Sequence, residues 1–129
     1  MAVRIVQLGT PRLRNEGTRL GTVRRPPRGV KKADYSRKNF FDLWLPDLAP
    51  SASLLRWARD KPLTDTRWPM FARRYRREMA QPAPRQLIAL LAALSASSNF
   101  SVGCYCQDAS RCHRSILWDL LSEAGAALA

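Results

Sequence analysis

The sequence NFSVGCYCQDASRCHRSILWDLLSEAG, residues 99–125, holds all three cysteines of this chain and its only histidine. Apolar residues alternate with small or polar ones at positions 100, 102, 104 and 106, and this pattern predicts a buried strand. A polar loop follows over 107–111. Apolar residues then recur at helical spacing as far as Gly125, which favours a helix end. The stretch therefore predicts a strand, a loop and a helix.

The predicted helix begins at the Cys-His-Arg motif of Cys112, His113 and Arg114. Backbone N–H groups are unpaired at a helix start and the helix dipole is positive there, so anions are favoured. A cysteine at such a start, with Arg111 and Arg114 beside it, is also a candidate for a thiol of low pKa. The motif is therefore a candidate anion site and a candidate nucleophile.

The rest of the chain predicts two further strands and a block of helices. The strands are expected at 3–8 and 18–23, although Gly21 weakens the second. Helices are expected after an N-cap at Ser51 or Ser53, over 70–79 and over 85–95, with a proline-punctuated turn at 81–84 between the last two. Part of residues 30–45 is expected to add another strand. This order predicts a single α/β domain over 1–129, with a small, mostly parallel sheet flanked by helices.

Composition limits the environment of the protein. The chain has 129 residues, which suits one domain, and no apolar run approaches the roughly 20 residues that span a bilayer. The first residues show no charged segment followed by a long apolar one, as a secretory signal would. Three cysteines cannot all pair with one another, and two of them are one residue apart. This pattern favours thiols or metal ligands in a reducing, cytoplasmic environment over a disulfide framework.

The charge is strongly positive and unevenly distributed. The net charge is +12, and residues 1–38 carry +9 of it. Arginine outnumbers lysine eighteen to four, and arginine suits bidentate contacts with phosphate. The basic N-terminal third therefore predicts a phosphate-bearing partner, while the alternative is solvated surface charge without a function.

Four segments in order resemble one known family. They are GTRLGTVRRPPRGVKK (17–32), FFDLWLPDLAPSASLLRWARD (40–60), FARRYRREM (71–79) and GCYCQDASRCHRSIL (103–117). The chain resembles the YeaO-like members of the domain-of-unknown-function family 488 (DUF488), and the resemblance implies a compact α/β fold. It departs from the family pattern at Val23, where an Asp is usual, at Pro26, where a Trp is usual, and at Cys106, where a Glu is frequent. The family's biochemical activity is not established, so the resemblance implies no particular reaction.

The cysteines and the histidine allow two kinds of chemistry. Cys104, Cys106, Cys112 and His113 are four soft ligands within ten residues, as zinc requires. The adjacency of Cys112 and His113 makes convergence on one ion awkward, so zinc is the less favoured alternative and no cofactor is expected. The second possibility is a thiolate at Cys112 or Cys106, activated by the neighbouring cations and the helix start. The spacing from either Cys104 or Cys106 to Arg111 does not match the phosphatase signature.

An anion site makes the fewest demands on geometry. Its expected residues are Arg28, Lys32, Arg74, Arg111 and Arg114, with His113 beside them. Arg28 and Arg114 each follow a predicted strand, and loops after parallel strands emerge at one edge of a sheet, so these two are expected to share the site. Tyr75 and Glu78 are expected to line the same pocket. The alternative is that Tyr75 belongs to the core and that Glu78 pairs with Arg74 across one helical turn.

The sequence thus predicts a protein that binds a phosphate-bearing ligand, a nucleotide or a nucleic acid, in a basic pocket around the Cys-His-Arg motif. Hydrolase or transferase chemistry by Cys112 and His113 is left open, and no membrane partner is expected. One alternative is a non-enzymatic nucleic-acid-binding module driven by residues 1–38. The other is a zinc-stabilised structural domain.

Overall fold

The sheet has four strands, and all of them are parallel. A computed structural model describes all 129 residues. The strands are β1 (Val3–Gln7), β2 (Thr18–Gly21), β3 (Leu43–Trp44) and β4 (Phe100–Cys104), in the spatial order β1-β4-β2-β3. The expected mostly parallel α/β fold is confirmed, and β3 is the additional strand expected within residues 30–45.

Four helices surround the sheet. They are α1 (Ala52–Asp60), α2 (Arg67–Met79), α3 (Pro82–Leu94) and α4 (His113–Glu123), and short 3-10 turns lie at Lys32–Asp34, Pro46–Leu48 and Ala109–Arg111. The side chain of Ser51 accepts a hydrogen bond from the Leu54 N–H at 3.2 Å and thereby caps α1, as expected. None of these helices combines the length and the apolar character required to cross a bilayer.

The central strand is β4, which lies between β1 and β2 and is buried at every residue. Its pairing runs from Val3 opposite Phe100 to Gln7 opposite Cys104 on one side, and from Thr18 opposite Phe100 on the other. Because the strands are parallel and in register, the loops after β1, β2 and β4 leave the sheet at the same edge. This edge positions the candidate site.

The main core forms where the helices pack on the sheet. Its fully buried members include Leu54, Leu117 and Tyr75, whose hydroxyl donates to the Leu48 carbonyl at 2.7 Å. A second, smaller cluster includes Phe41, Cys104 and Cys112, so two of the cysteines are also packing residues.

Two expectations about local structure are wrong. The predicted turn at 81–84 is the first turn of α3, because Pro82 occupies the first helical position, where no N–H donor is needed. Gly21 was expected to weaken β2, but β2 forms and includes it. A Cβ at Gly21 would lie 2.4 Å from Cδ2 of Phe41, so only glycine lets this ring pack against the strand.

Candidate functional site

A cleft of about 380 Å³ opens at the carboxyl ends of β2 and β4. It is bounded by residues 23–25 after β2, by residues 104–106 at the end of β4, by α1 and by the start of α4. This is the position at which open parallel sheets bind ligands. Its volume lies within the range of small-ligand sites. Its charged lining consists of five arginines and no carboxylate: Arg24, Arg25, Arg56, Arg59 and Arg111.

The three cysteines meet at the floor of this cleft. Their sulfur atoms all lie within 4.8 Å of one another, and those of Cys104 and Cys106 are 3.7 Å apart. All three are free thiols. Cys104 and Cys112 are buried and Cys106 is exposed, so Cys106 is the cysteine that presents its sulfur to solvent. β4, the loop after it and the start of α4 each contribute one sulfur atom.

The pKa values of the three thiols are shifted in different directions by their surroundings. Hydrogen bonds from Cys104 and Cys112 lower the pKa of Cys106, and the positive charge of nearby Arg114 acts in the same direction. The hydrogen bond to Cys106 and burial raise the pKa of Cys104 to about 11. The contacts with Cys104 and Cys106, together with burial, raise the pKa of Cys112. Negative charge in the cluster therefore resides first on the sulfur of Cys106.

His113 is held in one orientation beneath the cluster. Its Nε2 lies 2.6 Å from the carbonyl oxygen of Thr22 and therefore donates a hydrogen bond there. This fixes the proton on Nε2 and leaves Nδ1, which is 3.8 Å from Sγ of Cys112, as the unprotonated nitrogen. Burial lowers the pKa of His113 to about 4, so the ring is neutral at pH 7. The histidine thereby links the end of β2 to the start of α4.

Arg114 is an internal cation with no acidic partner. It is only 4% exposed, and its guanidinium donates to the carbonyls of Val6 at 2.8 Å and of Cys104 and Gln107 at 3.4 Å each. Its Nε is buried and has no hydrogen-bond partner. Buried charges are normally paired. The positive charge of Arg114 favours the thiolate of Cys106.

The five cleft arginines differ in their freedom. Arg24 donates to the carbonyls of Ala49 and Pro50, and Arg111 pairs with Asp65. The guanidinium groups of Arg25, Arg56 and Arg59 form no hydrogen bond or ion pair within the chain. These three are therefore available to an anionic ligand.

The expected anion site is assembled only in part. Arg111 lines the cleft, whereas Arg28 is exposed in a turn, Lys32 lies in a short 3-10 helix, and neither borders the cleft. Arg114 is enclosed by backbone carbonyls and does not line the cleft either. The structure therefore does not bring Arg28 and Arg114 together at this cleft.

The residues expected around Tyr75 also lie elsewhere. Tyr75 belongs to the core, as its alternative assignment predicted, and Arg74 lies over the Trp57 ring at 5.4 Å. The alternative pairing of Glu78 with Arg74 is wrong. Glu78 instead accepts hydrogen bonds from the backbone N–H and the hydroxyl of Ser51, at 2.8 and 2.5 Å.

The sequence analysis missed Arg25, Arg56 and Arg59. A signal for two of them was present, because Arg56 and Arg59 are three residues apart on a predicted helix and therefore project from one face of it. No sequence pattern could show that α1 lies across the carboxyl edge of the sheet, which is what brings that face to the cleft.

The family comparison agrees with the resemblance found in the sequence. A family model described as DUF488-N3a, active DUF488-N3 subclade, matches residues 3–125, which include every strand and helix of the fold. No curated protein and no solved structure matches the chain.

Proposed function

The chain belongs to the DUF488 family, and we propose that it binds a phosphate-bearing ligand of nucleotide size in the cleft, above the thiol cluster. The observation that carries this proposal is the charge of the lining. Five arginines and no carboxylate surround the cleft, and three of these arginines have no partner within the chain. Guanidinium groups in such an arrangement repel one another unless an anion lies between them, and phosphate accepts their paired donors well.

The other part of the lining supports an amphiphilic ligand. Val23, Pro50, Leu55, Leu63 and Phe71 supply an apolar wall beside the arginines. A free inorganic anion would leave this wall unused, whereas a nucleotide carries a planar, largely apolar base beside its phosphates. Ligand sites commonly combine an apolar lining with a few polar groups that fix orientation. A nucleotide, free or at the end of a nucleic acid, is therefore the ligand class that the cleft suits best.

The thiol cluster supports chemistry on this ligand. Cys106 presents its sulfur to the cleft, while Cys112 and His113, which also border it, are buried. The description of the matched subclade as active also supports an enzyme. We therefore extend the proposal to transferase or hydrolase chemistry, with the ligand held by arginines and the reacting bond placed over the thiols.

Calorimetric titration with ATP as the probe tests the binding proposal. The variant carries Arg56→Gln and Arg59→Gln, which remove two free guanidinium groups from α1 without changing the core, because both side chains are exposed. Hydrogen bonds to charged groups contribute about 1.5–3 kcal/mol each, so the double variant should weaken binding by at least about tenfold. Arg85→Gln is the matched control, because Arg85 is an exposed helical arginine outside the cleft.

A single-site isotherm that the double variant weakens and the control leaves within about twofold would support the proposal. The proposal fails if ATP and pyrophosphate both fail to saturate a site, or if the control weakens binding as much as the double variant does. A third outcome would also overturn it: binding only to oligonucleotides, with a steep salt dependence and equal effects of Arg85→Gln, favours the non-enzymatic nucleic-acid module.

A further inference from the structure

We propose that Cys104, Cys106 and Cys112 bind one thiophilic divalent metal ion, Zn²⁺ in the first place, with the fourth coordination position open to the cleft. The metal site does not include the arginines of the proposed phosphate site. The argument for it is the geometry of the three sulfur atoms.

The sulfur positions fit a metal site. A zinc–sulfur bond is about 2.3 Å long, so two thiolates of one tetrahedral zinc lie about 3.8 Å apart. The sulfur atoms of Cys104 and Cys106 are 3.7 Å apart, and all three lie within 4.8 Å of one another. The three sulfurs therefore already lie close to the positions of one face of a ZnS₄ tetrahedron. Closing the remaining gap needs side-chain adjustments smaller than a bond length.

The charge of the surroundings also fits. Three thiolates and one Zn²⁺ carry a net charge of −1. Arg114 lies against the same loop, donates to the carbonyls of Cys104 and Gln107, is buried, and has no acidic partner in the chain. A trithiolate zinc site would supply the counter-charge that this buried cation lacks. Without a metal, three thiolates could not coexist at these distances, because like charges disfavour one another.

The ligands are held by well-fixed elements. Cys104 ends the central strand, and Cys112 precedes the first residue of α4. His113 is not a fourth ligand: the ligand atoms that lie within 4.8 Å of one another are the three sulfurs alone, and Nε2 of His113 donates to the Thr22 carbonyl. Its place is behind a ligand, where such residues orient the metal-binding group and tune it. The adjacency of Cys112 and His113, which disfavoured zinc in the sequence, is therefore no obstacle.

The open position has a functional consequence that rests on the proposed ligand. Zinc sites with three protein ligands and one exchangeable position are typical of catalysis, while structural sites are closed by four. Because all three cysteines line the cleft, an ion that they hold has its exchangeable position toward the cleft and the bound ligand. The metal there would polarise a phosphoryl or carbonyl oxygen or an attacking water.

Titration of the metal-free, reduced full-length chain with Co²⁺ alone tests the site. Thiolate ligation gives sulfur-to-cobalt charge-transfer absorption, and tetrahedral Co²⁺ gives intense visible bands. We expect both at one equivalent per chain, with bleaching on addition of Zn²⁺. Cys106→Ser should weaken Co²⁺ binding by at least about 100-fold, the upper end of the loss seen for residues behind the ligands. This cysteine is exposed, so the variant should keep the native circular dichroism.

Tyr105→Phe is the control, since it lies between two of the cysteines and loses only a hydroxyl that bonds to the Arg25 carbonyl. It should keep the charge-transfer band. The metal site is refuted if the band is absent, if it survives unchanged in Cys106→Ser, or if the purified chain holds a disulfide between two of the three sulfurs under reducing conditions. If ATP binding depends on Arg56 and Arg59 but Co²⁺ produces no charge-transfer band, the metal site is refuted and the proposed ligand is not.

Discussion

At the scale of single residues, Glu16 and Arg19 form an ion pair that is buried in the interior. Glu16 is 2% exposed and Arg19 is fully buried. Arg19 donates to both carboxylate oxygens of Glu16, at 2.7 and 2.9 Å, and to the carbonyls of Thr10 and Asn39 at 2.8 Å each. Ser101 in β4 donates to the same carboxylate at 2.7 Å. The network ties the loop after β1 to the middle of the sheet.

Glu16→Gln should destabilise the fold strongly, because it leaves the Arg19 guanidinium buried without a counter-charge. Breaking a buried pair by removing one partner costs about 3–5 kcal/mol. Denaturant unfolding followed by circular dichroism measures the loss. Glu123→Gln is the matched control, since Glu123 also pairs with an arginine, Arg76, but at the surface, where such pairs contribute about 0–1 kcal/mol. If both variants lose the same free energy of unfolding, burial of the Glu16–Arg19 pair is not what makes it important for stability.

The sequence could not distinguish internal arginines from exposed ones. Arg19 lies in the basic N-terminal third and Arg114 in the Cys-His-Arg motif, and both look like partners for an anion. Each is instead bonded within the chain, Arg19 to a carboxylate and Arg114 to carbonyls. Long-range contacts decide this, since the carbonyl that Arg114 binds at Val6 is 108 residues away. Of the cysteines expected in the buried strand, Cys104 lies there, whereas Cys106 is exposed in the loop that follows it.

At the scale of elements, two glycines set how closely the layers approach. A Cβ at Gly21 would lie 2.4 Å from the Phe41 ring, and a Cβ at Gly103 would lie 2.5 Å from Leu8. Gly21 and Gly103 are also register partners on neighbouring strands. Phe41 and Leu8 belong to the same small cluster as Cys104 and Cys112. The glycines therefore let Phe41 and Leu8, which pack with Cys104 and Cys112, lie directly against the sheet.

Gly21→Ala should therefore destabilise the fold by about 1–3 kcal/mol, the usual cost of overpacking a well-packed core. A double-mutant cycle with Phe41→Leu identifies the cause. If the clash with the ring is responsible, the double variant should lose clearly less stability than the two single variants added together. Additive losses, measured by the same denaturant unfolding, would show that the ring is not what excludes a side chain at this position.

Periodic elements were predictable because their pattern is local. The alternation that begins at position 100 predicted β4, although the strand ends at Cys104 and not at 106, and the helical spacing after 112 predicted α4. The order of strands and helices predicted the parallel sheet. The start of α3 was missed because Pro82 and Pro84 indicate a turn as readily as a first helical turn. Strand β3 has only two residues, too few for any period, and depends on its pairing with Leu20 and Gly21.

At the scale of the whole molecule, the positive charge is divided between arginines that are paired within the chain and arginines that are not. Arg12 and Arg19 are used internally, in pairs with Asp42 and Glu16, although both count toward the basic N-terminal third. Three unpaired arginines are concentrated instead around one cleft, on the loop after β2 and on α1. A local concentration of this kind attracts and orients an anion more effectively than the same charge spread over the surface. The cleft therefore combines a free arginine of the N-terminal third, Arg25, with Arg56 and Arg59 of α1.

The same excess of positive charge makes acid stability depend on the few carboxylates held inside. Burial alone would raise the pKa of Glu16, but hydrogen bonds from Arg19 and Ser101 outweigh it and lower the pKa to about 2, from 4.5. A carboxyl whose pKa is lower in the folded state stabilises the fold fully above about pH 4.5, and this contribution disappears as the pH falls through 2.

The difference in unfolding free energy between the wild-type chain and Glu16→Gln should therefore be constant from pH 7 to about 5 and shrink steadily below 4.5. Chemical unfolding at a series of pH values measures it, with Glu123→Gln giving a small difference throughout. A difference that stays constant down to pH 2 would mean that the Glu16 carboxylate is not what holds Arg19 in the interior.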